Sequence, residues 1–283
     1  MTPPAFDHFV AIDWTGARGG RHPGVAVAMA DRGNAAPRLV RPPHARNWAR
    51  TEVAEWLKGL EGRVLAGFDF SFAAPFLDRG CYLPGLDAPA TGPGLWAFVE
   101  SHCAADPDLG AHGFTDGVAR AHFWMGARDG NKRDFLRWRV CEQRFNMGGG
   151  GKASTVFDCV GAAQVARASF SGMRLLHRLR PGFAIWPFDP PGPRTVVEIY
   201  TRAMLRLAGT PGRKLRHAAA LAAALATLGS EPFTADGWLS DHETDVLVSA
   251  AALRAMAGEP VWWAPAGLSE PVARTEGWTF GIR

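Results

Sequence analysis

Five carboxylates stand out from the other acids of this 283-residue chain. Asp13 lies in FVAIDWTG, Asp69 in VLAGFDFSFAAP and Glu198 in TVVEIYT, each a single acid inside an apolar run. Asp and Glu are depleted in strands, and a buried ionised one is costly unless compensated. Asp241 and Asp245 open SDHETDVLVSAA, a segment that reads as the start of a buried helix. Acids in a first turn suit the helix dipole, and Ser240 or Asp241 is a good N-cap. A cap does not explain Asp245, four residues on and sharing a face with Asp241. Converging carboxylates repel one another, and two divalent cations about 4 Å apart relieve that repulsion and activate water for phosphoryl chemistry. Oxygen-only ligands favour Mg2+ or Mn2+ over zinc.

These acids need a frame. Strands are expected at Phe9–Trp14, Gly24–Met29, Arg38–Arg41 and Arg63–Phe70, the first two joined by a hairpin-like turn. In strand alternation Asp13 shares a face with Ala11 and Thr15, and Asp69 with Gly67 and Ser71, so both acids sit among small residues where a cavity can form. For both to reach one ion, their strands must be neighbours, about 4.8 Å apart. Thr51–Leu60 has helical period, with Thr51 as its cap and Glu52 and Glu55 facing solvent. Helices follow at 161–179, 213–228 and 241–257, with strands at Ala184–Phe188, Thr195–Thr201, Val261–Trp263 and Trp278–Ile282. Residues 85–160 read as an irregular insertion with short helices, overhanging the acids and setting substrate choice. The expectation is a single α/β domain over 1–283, three-layered, with a mixed central sheet.

FVAIDWTG, VLAGFDFSFAAP, and VVEIYTRAML followed by SDHETDVLVSAAALRA resemble the domain-of-unknown-function 429 family, described as predicted nucleases of the ribonuclease H-like superfamily. The resemblance implies a ribonuclease H-like fold and a metal-dependent phosphodiesterase acting on DNA or RNA. It offers Asp13, Asp69, Glu198 and Asp245 as catalytic metal ligands; the pairing of Asp241 with Asp245 on one helix face adds Asp241 as a further candidate metal ligand. Glu198 departs from better-known nucleases of the superfamily in lying on a later strand. Two alternatives remain open. One is an ATP-dependent phosphotransferase of the actin and sugar-kinase type, for which the chain is short; the other is a non-catalytic binding module of the same fold.

Basic residues supply candidate substrate contacts. Arg137 and Arg139 fall in a stretch that mixes cations with Phe135, Trp138 and Phe145, as nucleic-acid surfaces do. NMGGGGKAST departs from a phosphate-binding GxxxxGK[ST] loop at Asn146 and Ala153, leaving backbone amides and Lys152 as a weaker phosphate contact. Lys214 could also reach a phosphate, and His242 is a candidate general base. The net charge of +4 permits a polyanionic ligand without demanding one. Cys81, Cys103, Cys141 and Cys159 form no CxxC pair, which argues for reduced packing thiols. No apolar run has membrane-spanning length and MTPPAFDHFV lacks signal-peptide character, so the expected location is cytoplasmic.

Overall fold

In the computed structural model, residues 3–161, 165–212, 214–215, 217–234 and 237–283 are described. A six-stranded mixed sheet runs through the middle. Its strands are β1 (His8–Asp13), β2 (Ala26–Asp31), β3 (Arg38–Leu39), β4 (Val64–Asp69), β5 (Ala184–Ile185) and β6 (Arg194–Glu198), in the order β3-β2-β1-β4-β6-β5. The first three are antiparallel to one another, and β1, β4, β6 and β5 are parallel. The middle strands β1 and β4 are buried on both faces, which is why both read as nearly continuous apolar runs.

Helices cover both faces. Val10, Ile12, Ala66, Phe68 and Val196 point to the side held by α1 (Arg50–Gly59), α2 (Gly92–His102) and α4 (Val165–Leu179). Phe9, Ala11, Leu65 and Val197 point to the side held by α5 (Thr201–Leu207), α6 (Ala218–Thr227) and α7 (Asp241–Met256). Between α2 and α4, short 3-10 turns lead to α3 (Val140–Met147). Short helices α8 (Pro260–Trp263) and α9 (Glu270–Thr275) complete the chain.

Several expected elements differ. Val261–Trp263 is helical, because Pro260 at the first turn pre-sets the helical φ. Its indoles fill a core position, Trp263 stacking on Phe6 at 6.1 Å. Trp278–Ile282 makes a single bridge, Thr279 to Glu198; Gly277 just before it and Gly281 within it have positive φ. The strand expected through Thr201 stops at Glu198, and Thr201 opens α5 instead. The starts expected for the helices at 161–179 and 213–228 fall partly on 162–164, 213 and 216, which lie outside the described residues.

Thr51 is not the cap of α1. The carboxylate of Asp108, 57 residues further along the chain, accepts from the amides of Arg50 and Thr51 (3.0 Å each) and from Thr51 Oγ1 (2.8 Å). Residues 85–160 share one hydrophobic core with the sheet: Trp96, Phe114, Phe123 and Phe157 are buried among Phe68, Phe70 and Phe170. Most of the insertion therefore packs on the face away from α7 rather than overhanging the acids. Cys103, Cys141 and Cys159 are buried, and all four cysteines are unbridged. Among the described residues no helix is long and apolar enough to cross a membrane.

Candidate active site

Asp13 and Asp69 are register partners at the carboxyl ends of β1 and β4. Being directly opposite on neighbouring parallel strands, they project from the same face, the one α7 covers. Gly67, two residues before Asp69, leaves no cavity. A Cβ there would come within 2.7 Å of Ile199 Cγ2 and 2.9 Å of Leu253 Cδ1, so the missing side chain lets α7 and the start of α5 seat closely on β4. Close seating brings the opening of α7 over the two aspartates.

That opening is set by a reciprocal cap. Ser240 Oγ accepts from the Glu243 amide (3.2 Å), and the Glu243 carboxylate accepts from the Ser240 amide (2.8 Å). Asp241 is thus not the cap; its carboxylate pairs with Lys214, which directs Lys214 at the protein. His242 Nδ1 lies 2.6 Å from Asp13 Oδ2, while half of the His242 side chain stays exposed. Asp245 is half-buried one turn further in.

The electrostatics tie the aspartates together. Burial, then the charges of Asp13 and Asp245, push the Asp69 carboxyl up to about 7, against an opposing hydrogen bond from Thr201 Oγ1 at 2.5 Å. Burial, Asp13 and Asp241 push Asp245 up to about 6. The hydrogen bond to Asp13 raises the His242 pKa. A cation beside these carboxylates would relieve the repulsion that raises Asp69 and Asp245. Ser249, a turn beyond Asp245 on α7, is buried, and its hydroxyl has no hydrogen-bond partner. The donor chemistry therefore suits a hard divalent ion. In the present arrangement, however, no group of three or more His, Cys, Asp or Glu side chains among the described residues is already gathered to hold one.

Glu198 does not join them. It pairs with Phe68, one position out of phase with Asp69, and so points to the opposite face. There its carboxylate accepts from both terminal nitrogens of Arg139 (2.7 and 2.5 Å), the Phe72 amide (2.7 Å) and Thr279 Oγ1 (2.5 Å). Every lone pair is engaged, which leaves nothing for a metal. Arg139 is accordingly 1% exposed and also bonds Glu142. Arg137 is equally inward: it grips Asp78 through two nitrogens and caps the carbonyls of Pro75, Cys81 and Tyr82. Neither arginine can meet a nucleic acid in this structure: both are buried and committed to protein partners.

Lys152 is exposed at the end of the glycine-rich loop. That loop is held against α5: the Arg206 guanidinium donates to the Gly149 carbonyl, and Phe145 packs edge-on to Tyr200 at 5.2 Å. Gly151 also lies close to Arg202, so the loop meets the residues on either side of Thr201, whose hydroxyl bonds Asp69. The sequence reading missed Thr201, hidden by the strand assigned to it, and Arg50. Buried Arg50 donates to the carbonyls of Thr15 (2.8 Å) and Ala17 (2.5 Å), fixing the loop that follows Asp13. No family model, curated protein or solved structure matches the chain.

Proposed function

We propose that the protein is a metal-dependent phosphodiesterase of ribonuclease H-like fold that cleaves nucleic acid. The observation that carries this reading is the Asp13–Asp69 register pair beneath Asp245, with the Asp69 and Asp245 carboxyls both raised by burial and by the neighbouring carboxylates. The hairpin bearing Asp13, the adjacent parallel strand bearing Asp69 and the late helix bearing Asp245 occur together as the ribonuclease H-like reading requires.

Asp13, Asp69 and Asp245 would hold Mg2+ or Mn2+, with Asp241 at the outer edge. A bound divalent ion supplies Lewis acidity and a deprotonated water near neutral pH. The Thr201 hydroxyl holds one oxygen of Asp69 and orients the other. His242, tethered to Asp13 through Nδ1, keeps Nε2 for accepting or delivering a proton at the reacting phosphate. The Arg50 contacts keep the loop after Asp13 in place.

The test is turnover of end-labelled single-stranded and duplex DNA and RNA in Mg2+ or Mn2+. Cleavage that vanishes in EDTA and in Asp69→Asn supports the reading. Absence of cleavage with every substrate, or cleavage that survives in Asp69→Asn, rejects it.

A further inference from the structure

On the other flank of the α7 opening lies a slot of about 240 Å³ that the catalytic reading does not use. It forms where the edge strand β3 ends and the chain leaves the sheet. Val25 and Val27 of the β2 region, Leu39 and Trp48 lie along its floor, and polar groups, Asn47 and Ser240 among them, make up much of the surface it presents. Trp48 is fixed there, its indole N–H donating to the Val40 carbonyl at 3.3 Å. Arg41 and Arg46 stand at the rim. The one acid in the lining, Glu243, is already neutralised by Arg41 at 2.6 Å and by the helix cap it completes. Arg46 is exposed and brings an uncommitted positive charge.

We propose that this slot is a base-binding subsite for single-stranded nucleic acid, with Arg46 contacting the adjoining phosphate. This rests on the phosphodiesterase reading for the class of ligand. The size favours a fragment: drug-sized ligands occupy roughly 300–1,000 Å³, and a single base with part of its sugar needs less. The lining is mixed, with Asn47 and Ser240 beside Val25, Leu39 and Trp48; that suits a base, which has hydrogen-bonding edges as well as a flat ring, and the charge at the mouth suits an anion attached to it. The slot is also continuous with the acids. Ser240 and Glu243 line it from the same helical turn that aims His242 at Asp13. Pro23 lines it too, and a Cβ on neighbouring Gly24 would lie 3.9 Å from His242 Nε2. A strand with its base in the slot would pass over Gly24 toward the carboxylates. A duplex could not enter, because its bases are stacked and paired.

The test separates the slot from the catalysis by working in EDTA. Each of the four nucleoside 5′-monophosphates is titrated into the full-length protein while the methyl NMR signals of Val25, Val27 and Leu39 are followed. At least one monophosphate should shift them, more tightly than inorganic phosphate does, and Arg46→Glu should weaken that binding about tenfold. Arg46→Gln, the milder change at this exposed position, should fall between. The subsite is overturned if no monophosphate moves these methyls, if inorganic phosphate binds equally well, or if Arg46→Glu leaves the affinity unchanged. Methyl shifts that persist in a protein without Mg2+-dependent turnover would retain the subsite while rejecting the phosphodiesterase.

Discussion

Asp13 and Asp69 face each other across one inter-strand gap, at the last position of two parallel strands. With Asp245 above them, they make the protein less stable wherever all three are ionised. Folded-state values near 7 for Asp69 and near 6 for Asp245 exceed the ordinary carboxylate value of about 4. Between about pH 4 and pH 7 the folded chain therefore binds more protons than the unfolded one, and stability falls as pH rises. The metal-free protein should lose several kcal/mol across this window, at most about 7 kcal/mol if both displacements are realised in full. Asp69→Asn should flatten the slope and melt higher than the parent at pH 7.5. Denaturant titrations at pH 5 and 7.5 decide it, and a flat parent profile would show that the carboxyls do not repel.

Divalent cations should reverse that loss. Mg2+ or Mn2+ at pH 7.5 should raise the melting temperature of the parent by several degrees, as expected for ligand binding to the folded state alone. Asp245→Asn should remove most of the gain. Asp241→Asn should remove little, because Asp241 already faces Lys214 and Ser240 supplies the cap. Equal gains in the parent and Asp245→Asn would exclude Asp245 as a ligand.

How far could the site be read from the chain alone? Asp13, Asp69 and Asp245 were legible because each interrupts an apolar pattern at the end of an element. Glu198 gives the same signal for a different reason. Its pattern break reflects a buried ion pair with Arg139, 59 residues earlier in the chain. Whether an acid shares a face with Asp69 depends on the register between strands, which periodicity within one strand does not encode. The basic stretch misled in the complementary way, since Asp78 and Glu198, which bind Arg137 and Arg139 in the interior, each lie 59 residues away in sequence. The mixed sheet was legible from its apolar strands. The C-terminal strand pair was not, because short apolar runs bury equally well as single turns of helix.

Arg139→Ala should cost about 3–5 kcal/mol, the range for stripping one partner from a buried pair. Glu198→Gln should cost less, because the amide oxygen still accepts a bond. Both effects should appear in chemical denaturation. Nucleic-acid affinity of whatever fraction folds should be unchanged, in contrast to a surface contact, whose loss lowers affinity and its salt dependence. A reduced salt slope in folded Arg139→Ala would contradict the buried placement.

Asp108 offers an acid-side counterpart. Burial works to raise its pKa, but His22 and the α1 amides outweigh this and hold it near 2. Its contribution is complete above the unfolded value of about 4 and disappears as pH falls toward 2. Asp108→Ala should cost about 2–4 kcal/mol by leaving His22, the Thr51 hydroxyl and the amides of Arg50 and Thr51 without an acceptor. Asp108→Asn should be milder, since Asn tolerates the left-handed backbone at φ 46°. Urea titration of both variants at neutral pH would show the order, and equal losses would mean that the charge, not the acceptor, is what matters.

Gly67→Ala tests the seating of α7. The added methyl meets Ile199 and Leu253 and should cost about 1–3 kcal/mol. Lifting the helix also separates Asp245 from Asp69, so cation-induced stabilisation should shrink along with turnover. A variant that folds less stably yet binds cations as tightly would show that the helix position is not limiting.

The Arg139–Glu198 pair also bears on how the protein can change. Arg139 belongs to the segment between α2 and α4, Glu198 to the sheet, and Thr279 and Glu276, which bond them, to the last residues of the chain. One guanidinium thus fastens together three stretches that are remote in sequence. Removing the long segment would strand a carboxylate in the interior, so shortening it or exchanging it for a foreign loop is barred unless Glu198 changes in the same step. The same fastening couples the chain end to the centre: the protein should open as one cooperative unit, with amide exchange near the C-terminus as slow as in β6.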